Sequence, residues 1–217
     1  MPDISIRNQK PLTINNIFCI GRNYVAHVEE LGNTIGTSPV VFLKPTSAVI
    51  FEGERIRLPA MSSDVHYEAE LVVAIGGEGK NVSRDDALGY VAGYGLGLDL
   101  TMRDVQTELK SKGLPWTIAK GFDTSAPLSE FLPSREITDP QDMTFTLRVN
   151  GELRQTGKTG HMIFTVADLV SYLSSIFTLH PGDLVFTGTP RGVGRLVSGD
   201  TLALELGTAL RAEFHVA

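Results

Sequence analysis

Only one cysteine, Cys19, occurs in 217 residues, so the chain can form neither an internal disulfide nor a cysteine-rich metal cage. A reducing compartment suits it. The opening MPDISIRNQK has no apolar core, and no apolar run approaches the roughly 20 residues a spanning helix needs, which predicts a cytoplasmic protein with no membrane partner. The sequon Asn81-Val82-Ser83 has no consequence there. An excess of positive charge is also missing: 19 Lys and Arg face 25 Asp and Glu, a formal charge of -6. With no basic cluster interleaved with aromatics, nucleic acid is not expected as a partner. Repeats of fixed period and low-complexity linkers are absent too, so one continuous domain over residues 1–217 is expected.

What is present reads as an α+β chain rich in β. Short stretches with β-branched residues recur at Ile17–Ile20, Val40–Leu43, Leu71–Ile75, Phe145–Val149 and Leu184–Thr187, and predict strands. Asn150-Gly151 is a hairpin signal, and Thr201–Val216 reads as two strands turning near Gly207. Thr165 to Phe177 has the apolar spacing of a helix, with Thr165 and Asp168 as its capping pair. A second helix is predicted from about Met102 to Lys112, capped by Thr101 and Asp104 and stopped at Gly113. A third, short one follows Ser83 and ends near Gly89.

Chemistry-bearing residues gather in a few segments. Strand alternation puts Glu68 and Glu70, with His66, on one face. Carboxylates that close either raise one pKa or hold a hard cation such as Mg²⁺ or Mn²⁺; a solvated face with two ordinary glutamates is the plainer alternative. Asp99 ends an apolar, glycine-spaced strand, where it either braces the next helix or supplies a third oxygen ligand. Arg103 and Gln106 then share a helix face, and the arginine's planar fork suits a substrate carboxylate. His27 and Glu30, three apart on a predicted short helix, can form a general-base dyad or an ordinary surface pair. Lys120, among apolar and aromatic neighbours, either stabilises an oxyanion or snorkels to water. The glycine-rich loop Thr187–Gly194 offers amides and Thr189 to an anion, or is simply a turn.

Other motifs fail. Gly76-Gly77-Glu78-Gly79-Lys80 lacks the spacing of a phosphate loop, glycines 93, 95 and 97 lack the third dinucleotide-binding glycine, and no G-x-S-x-G elbow exists.

Taken in order, GRNYVAHVEE, VHYEAELVVAIG, GYGLGLDLTMRDVQ, PWTIAKGFDTSAPLS, VNGELRQTGKTGHMIF and LHPGDLVFTGTPRGVG resemble the blocks of the fumarylacetoacetate hydrolase family, especially its short acylpyruvase-like members. The resemblance runs from about Ile17 to Val216. It implies a mixed β-roll of the family's C-terminal-domain type around Mg²⁺ or Mn²⁺ held by Glu68, Glu70 and Asp99. It further implies a catalytic dyad of His27 and Glu30, an oxyanion-stabilising Lys120, and substrate contacts from Arg22, Arg103, Gln106 and Thr189. The expected activity is hydrolysis of a C–C bond in an acylpyruvate-type 2,4-diketo acid to pyruvate and a carboxylic acid, by a homodimer. Alternatives are an oxaloacetate decarboxylase or tautomerase, a 2-hydroxyhepta-2,4-diene-1,7-dioate isomerase, and a non-enzymatic keto-acid-binding protein. The acyl group depends on loops such as Gly32–Ser38.

Overall fold

The structure, a computed structural model, describes every residue except 31 and 33–35, so part of the Gly32–Ser38 loop lies outside the described residues. The apolar runs form strands at Ile17–Gly21, Val40–Lys44, Ala69–Ile75, Thr144–Val149 and Leu184–Phe186. Asn150 and Gly151, with φ of 52 and 83, turn Thr144–Val149 into its antiparallel partner Glu152–Lys158. Thr201–Leu206 likewise turns back as Leu210–Val216.

The largest sheet is mixed and seven-stranded. Its order is Val40–Lys44, Ile17–Gly21, Leu184–Phe186, Ala69–Ile75, Val91–Leu98, Ala126–Pro133 and Val49–Phe51. A five-stranded sheet packs beside it, running Glu152–Lys158, Thr144–Val149, Thr201–Leu206, Leu210–Val216 and Arg55–Ile56. The central strand Ala69–Ile75 is buried at every position because both faces of its sheet are covered. Leu71, Val73 and Ile75 enter one core with Phe18 and Ile20, while Val72 and Ala74 enter a second with Ile17, Cys19 and Phe186. Glu70 shares the parity of Val72 and Ala74. In the neighbouring strand Gly97 leaves room for Phe186, whose ring would lie 2.7 Å from an added Cβ.

Four α-helices are described: α1 (Val25–Glu30), α2 (Arg103–Ser111), α3 (Thr117–Lys120) and α4 (Val166–Ile176). The Thr165/Asp168 capping box at α4 forms as expected. The box expected at α2 does not. Thr101 is instead part of a short strand, Thr101–Met102, paired with Val65–Tyr67, and its hydroxyl donates to Asp99 O. Asp104 turns away to accept from Ser62 Oγ and Ser63 N, so strand pairing outcompetes the local cap. The helix expected after Ser83 is a single 3₁₀ turn, Ala87–Tyr90, because the chain enters the strand Val91–Leu98 before a second turn can form. No helix among the described residues is long and apolar enough to cross a membrane.

Candidate active site

Antiparallel pairing of Ala69 with Leu98 brings the residues just beyond each strand, Glu68 and Asp99, side by side, and Asp99 N donates to Glu68 O at 2.8 Å. Glu70 follows on the same strand. These three carboxylates are 4%, 2% and 1% exposed, and one oxygen from each lies within 4.8 Å of the others. His66 is not among them. The strand Val65–Tyr67 stops before Glu68 and pairs elsewhere, so the imidazole Nε2 sits 2.9 Å from Asp64 Oδ1.

Three like charges so close in a dry setting need compensation. Lys120 Nζ supplies some of it, 2.6 Å from both Glu68 Oε2 and Asp99 Oδ2. Arg103 Nη2 binds Glu68 Oε1, and Arg103 Nη1 donates to Gln106 Oε1 at 2.7 Å. The third cation is Lys44, which the motif reading passed over. Its Nζ lies 2.8 Å from Asp99 Oδ1 and binds Ser125 Oγ and the carbonyls of Leu100 and Lys120. A charged residue closing an apolar strand, Val40-Val41-Phe42-Leu43-Lys44, was the available signal.

The electrostatics divide the carboxylates. Burial works against ionised Glu68, yet Lys120, Arg103 and His27 outweigh it and hold its pKa below the usual carboxylate range. Burial, then Asp99 and Glu68, push Glu70 well above that range; a hydrogen bond from Gly188 N at 2.7 Å only partly offsets them. Burial would lower Lys120, but Asp99 and Glu68 raise it, so it stays charged. Asp99 Oδ1 accepts no hydrogen bond despite the nearby Lys44, whose approach is out of line for one. Three buried carboxylates with one oxygen of each within 4.8 Å of the others are the donor set of a hard divalent cation, so the three residues can hold one.

Facing this cluster is the histidine of α1. His27 Nδ1 lies 3.2 Å from Glu30 Oε2, and Glu30 Oε1 accepts from Gly192 N at 2.9 Å. Asn23, fully buried just before the helix, donates to Thr187 O and Phe164 O and accepts from Phe164 N, which fixes where α1 starts. His27, Glu68, Glu70, Asp99, Lys120, Arg22, Arg103, Gln106 and Thr189 all border one cavity that opens to solvent; of the expected site residues only Glu30 stands behind it. Arg22 reaches it from a left-handed backbone, φ 63, a conformation that costs a non-glycine residue about 1–2 kcal/mol. The Thr189 hydroxyl is already engaged, donating to Ala69 O and accepting from Gln155. Lys110, Phe42 and Trp116 also border the cavity and were not singled out from the sequence. The two rings meet edge to face at 5.8 Å, and Lys120 Nζ lies 5.1 Å from the Phe42 centroid.

A β-roll carrying a buried carboxylate triad defines a metal-site class of enzyme, and a family described as Fumarylacetoacetate (FAA) hydrolase C-terminal matches residues 16–216. The chain belongs to the fumarylacetoacetate hydrolase family. It is 48% identical over 201 residues to oxaloacetate tautomerase FAHD1, mitochondrial, of Rattus norvegicus, covering 93% of this chain and 91% of that one. It is 45% identical over 192 residues to oxaloacetate tautomerase YcgM of Escherichia coli (strain K12), covering 88% of each. The crystal structure of fumarylpyruvate hydrolase from Pseudomonas aeruginosa, in complex with Mn²⁺ and pyruvate, superimposes with a TM-score of 0.94 at 37% identity, covering 100% of this chain and 95% of that one.

Proposed function

We propose that this protein is a divalent-cation-dependent oxaloacetate tautomerase, interconverting the keto and enol forms of a four-carbon 2-oxo dicarboxylate. The observation that carries this reading is the charge at the triad. Around a bound divalent cation Glu68, Glu70 and Asp99 would carry three negative charges against the three positive ones of Lys44, Lys120 and Arg103, so the cation's own two charges remain for a dicarboxylate to cancel. A monoanionic acylpyruvate such as acetylpyruvate leaves one uncancelled, whereas the dianionic fumarylpyruvate matches as oxaloacetate does, so the choice between those two rests on the likeness to the tautomerases. Arg22 on the cavity wall strengthens the preference for a dianion. The likeness to two oxaloacetate tautomerases supports the same substrate.

Glu68, Glu70 and Asp99 would hold Mg²⁺ or Mn²⁺, which when bound supplies Lewis acidity at the 2-oxo oxygen. The remaining chemistry belongs to the chain. Glu30, accepting from His27 Nδ1, keeps Nε2 free to accept a proton, so His27 takes the C3 proton of the keto form. The electron pair moves onto the 2-oxygen, where the charged Lys120 stabilises it. Return of the proton to that oxygen gives the enol, with no water consumed.

This reading moves C–C hydrolysis to second place. Hydrolysis keeps support from the fumarylpyruvate hydrolase likeness and from a dyad able to activate water. Metal-stripped protein should be incubated with oxaloacetate, fumarylpyruvate and acetylpyruvate, with and without Mn²⁺, following enol absorbance and products. Mn²⁺-dependent loss of the oxaloacetate enol without pyruvate release is the expected outcome. Pyruvate plus fumarate, with oxaloacetate tautomerisation no faster than the blank, would make the protein a hydrolase instead.

A further inference from the structure

Outside the cavity, Gln155 is 1% exposed and every polar atom of its amide is bonded. Ala69 N donates to Gln155 Oε1 at 2.9 Å, and Gln155 Nε2 donates to Thr189 Oγ1 and Pro190 O, each at 2.9 Å. Thr189 Oγ1 closes the ring by donating to Ala69 O at 2.8 Å. Ala69 is the residue between Glu68 and Glu70. The neighbouring strand Leu184–Phe186 pairs with the central strand only at Val72–Ala74, so at Ala69 no strand occupies that edge. Gln155 and Thr189 satisfy the peptide in its place, as a buried backbone group requires.

The side chain can reach this edge because its own strand is bulged. Leu147 pairs with Gln155 but Arg148 pairs with Leu153, leaving Arg154 as the extra residue. Gly192 packs against the bulge: its φ is 98, and an added Cβ would lie 2.3 Å from Arg154 O. Its amide also holds Glu30 Oε1 at 2.9 Å, while four residues earlier Gly188 N holds Glu70 Oε2 at 2.7 Å. The loop 188–192 therefore grips a triad carboxylate at one end and the dyad carboxylate at the other, with Gln155 bonded to its middle.

We infer that Gln155 is a positioning residue, which through Thr189 and Pro190 sets the spacing between the cation-holding carboxylates and the His27–Glu30 pair. The inference rests on the roles proposed above for those two groups. Amides that orient metal ligands from behind typically change metal affinity or activity by about 10- to 100-fold when lost.

Gln155→Met keeps the length of the side chain and removes its amide bonds. The whole metal-free chain, wild type and variant, is titrated with Mn²⁺ alone and bound ion is read by electron paramagnetic resonance. The Kd is expected to rise about 10-fold or more in protein whose circular dichroism matches wild type. At saturating Mn²⁺, the loss of kcat in Gln155→Met with Glu30→Gln should be smaller than the product of the two single losses, because both act on one geometry. A purely structural glutamine lowers the melting midpoint but leaves the Mn²⁺ Kd within about twofold, or gives multiplicative losses; either result overturns the inference. If Gln155→Met does not fold, Gly192→Ala, which forces the loop off the Arg154 carbonyl, is judged by the same criteria. A wild type that binds Mn²⁺ but leaves oxaloacetate unchanged sinks the tautomerase reading alone, and the two Mn²⁺ affinities then decide the role of Gln155.

Discussion

Lys120→Met separates two effects that act on the same oxygen atoms. The ammonium is 2.6 Å from Glu68 Oε2 and 2.6 Å from Asp99 Oδ2, so it competes with any cation for these carboxylates. Its removal leaves neither stranded, since Glu68 keeps Arg103 and Asp99 keeps Lys44. Unit charges about 4 Å apart at an effective dielectric of about 20 interact by about 4 kcal/mol. Tenfold in affinity is about 1.4 kcal/mol, so relief of even a third of one such repulsion tightens Mn²⁺ binding about tenfold. Turnover should move the other way, falling about 10²- to 10³-fold as a buried donor to the developing oxyanion is lost. Calorimetric Mn²⁺ titration gives the first quantity, and enol absorbance with oxaloacetate at saturating Mn²⁺ gives the second. Weaker Mn²⁺ binding in Lys120→Met, or turnover within about tenfold of wild type, would refute the reasoning.

His27→Ala should lower turnover about 10²- to 10⁴-fold while leaving Mn²⁺ affinity unchanged, because the imidazole is not part of the triad; comparable metal loss in His27→Ala and Asp99→Ala would end this division of roles. Glu70, raised by burial and by Asp99 and Glu68, holds a proton in the metal-free protein at pH values where a free carboxylate has lost it. Cation binding at a pH just above the ordinary carboxylate range should therefore release that proton, seen as a binding enthalpy that changes with buffer ionisation enthalpy; buffer independence would show Glu70 already ionised. Far from the site, Thr165→Ala removes the α4 cap and should cost about 1 kcal/mol in urea unfolding with kcat intact. Burial would raise Asp168, but hydrogen bonds from Thr165 and Arg84 hold it below the ordinary range. Its contribution is present above the unfolded-state pKa and should fade only as pH falls through the lower folded value.

Local chemistry was legible wherever neighbours in sequence are also partners in space. The apolar runs, the Asn150-Gly151 turn and the Thr165/Asp168 box depend on period, backbone preference or a contact three residues away, and each formed. The same reasoning failed at Thr101 and Asp104, where pairing with a strand some 35 residues earlier took the cap residue out of the helix. The carboxylates, the dyad and Lys120 could be singled out because each is a charged or titratable residue in an apolar or glycine-rich setting. That Glu68 and Asp99 meet depends on the register of two strands, and that His66 does not join them depends on where one strand stops.

Lys44 and Gln155 show most clearly what only the tertiary structure decides. By itself Lys44 ends an edge strand and Gln155 is one polar residue following the exposed run Glu152-Leu153-Arg154. Their partners lie 55 and 86 residues away, at Asp99 and Ala69, and a bulge turns Gln155 inward. Charge compensation and hydrogen bonding across such separations exist only after the sheet has closed, because residue type names what a group can bind and the fold alone determines what it meets.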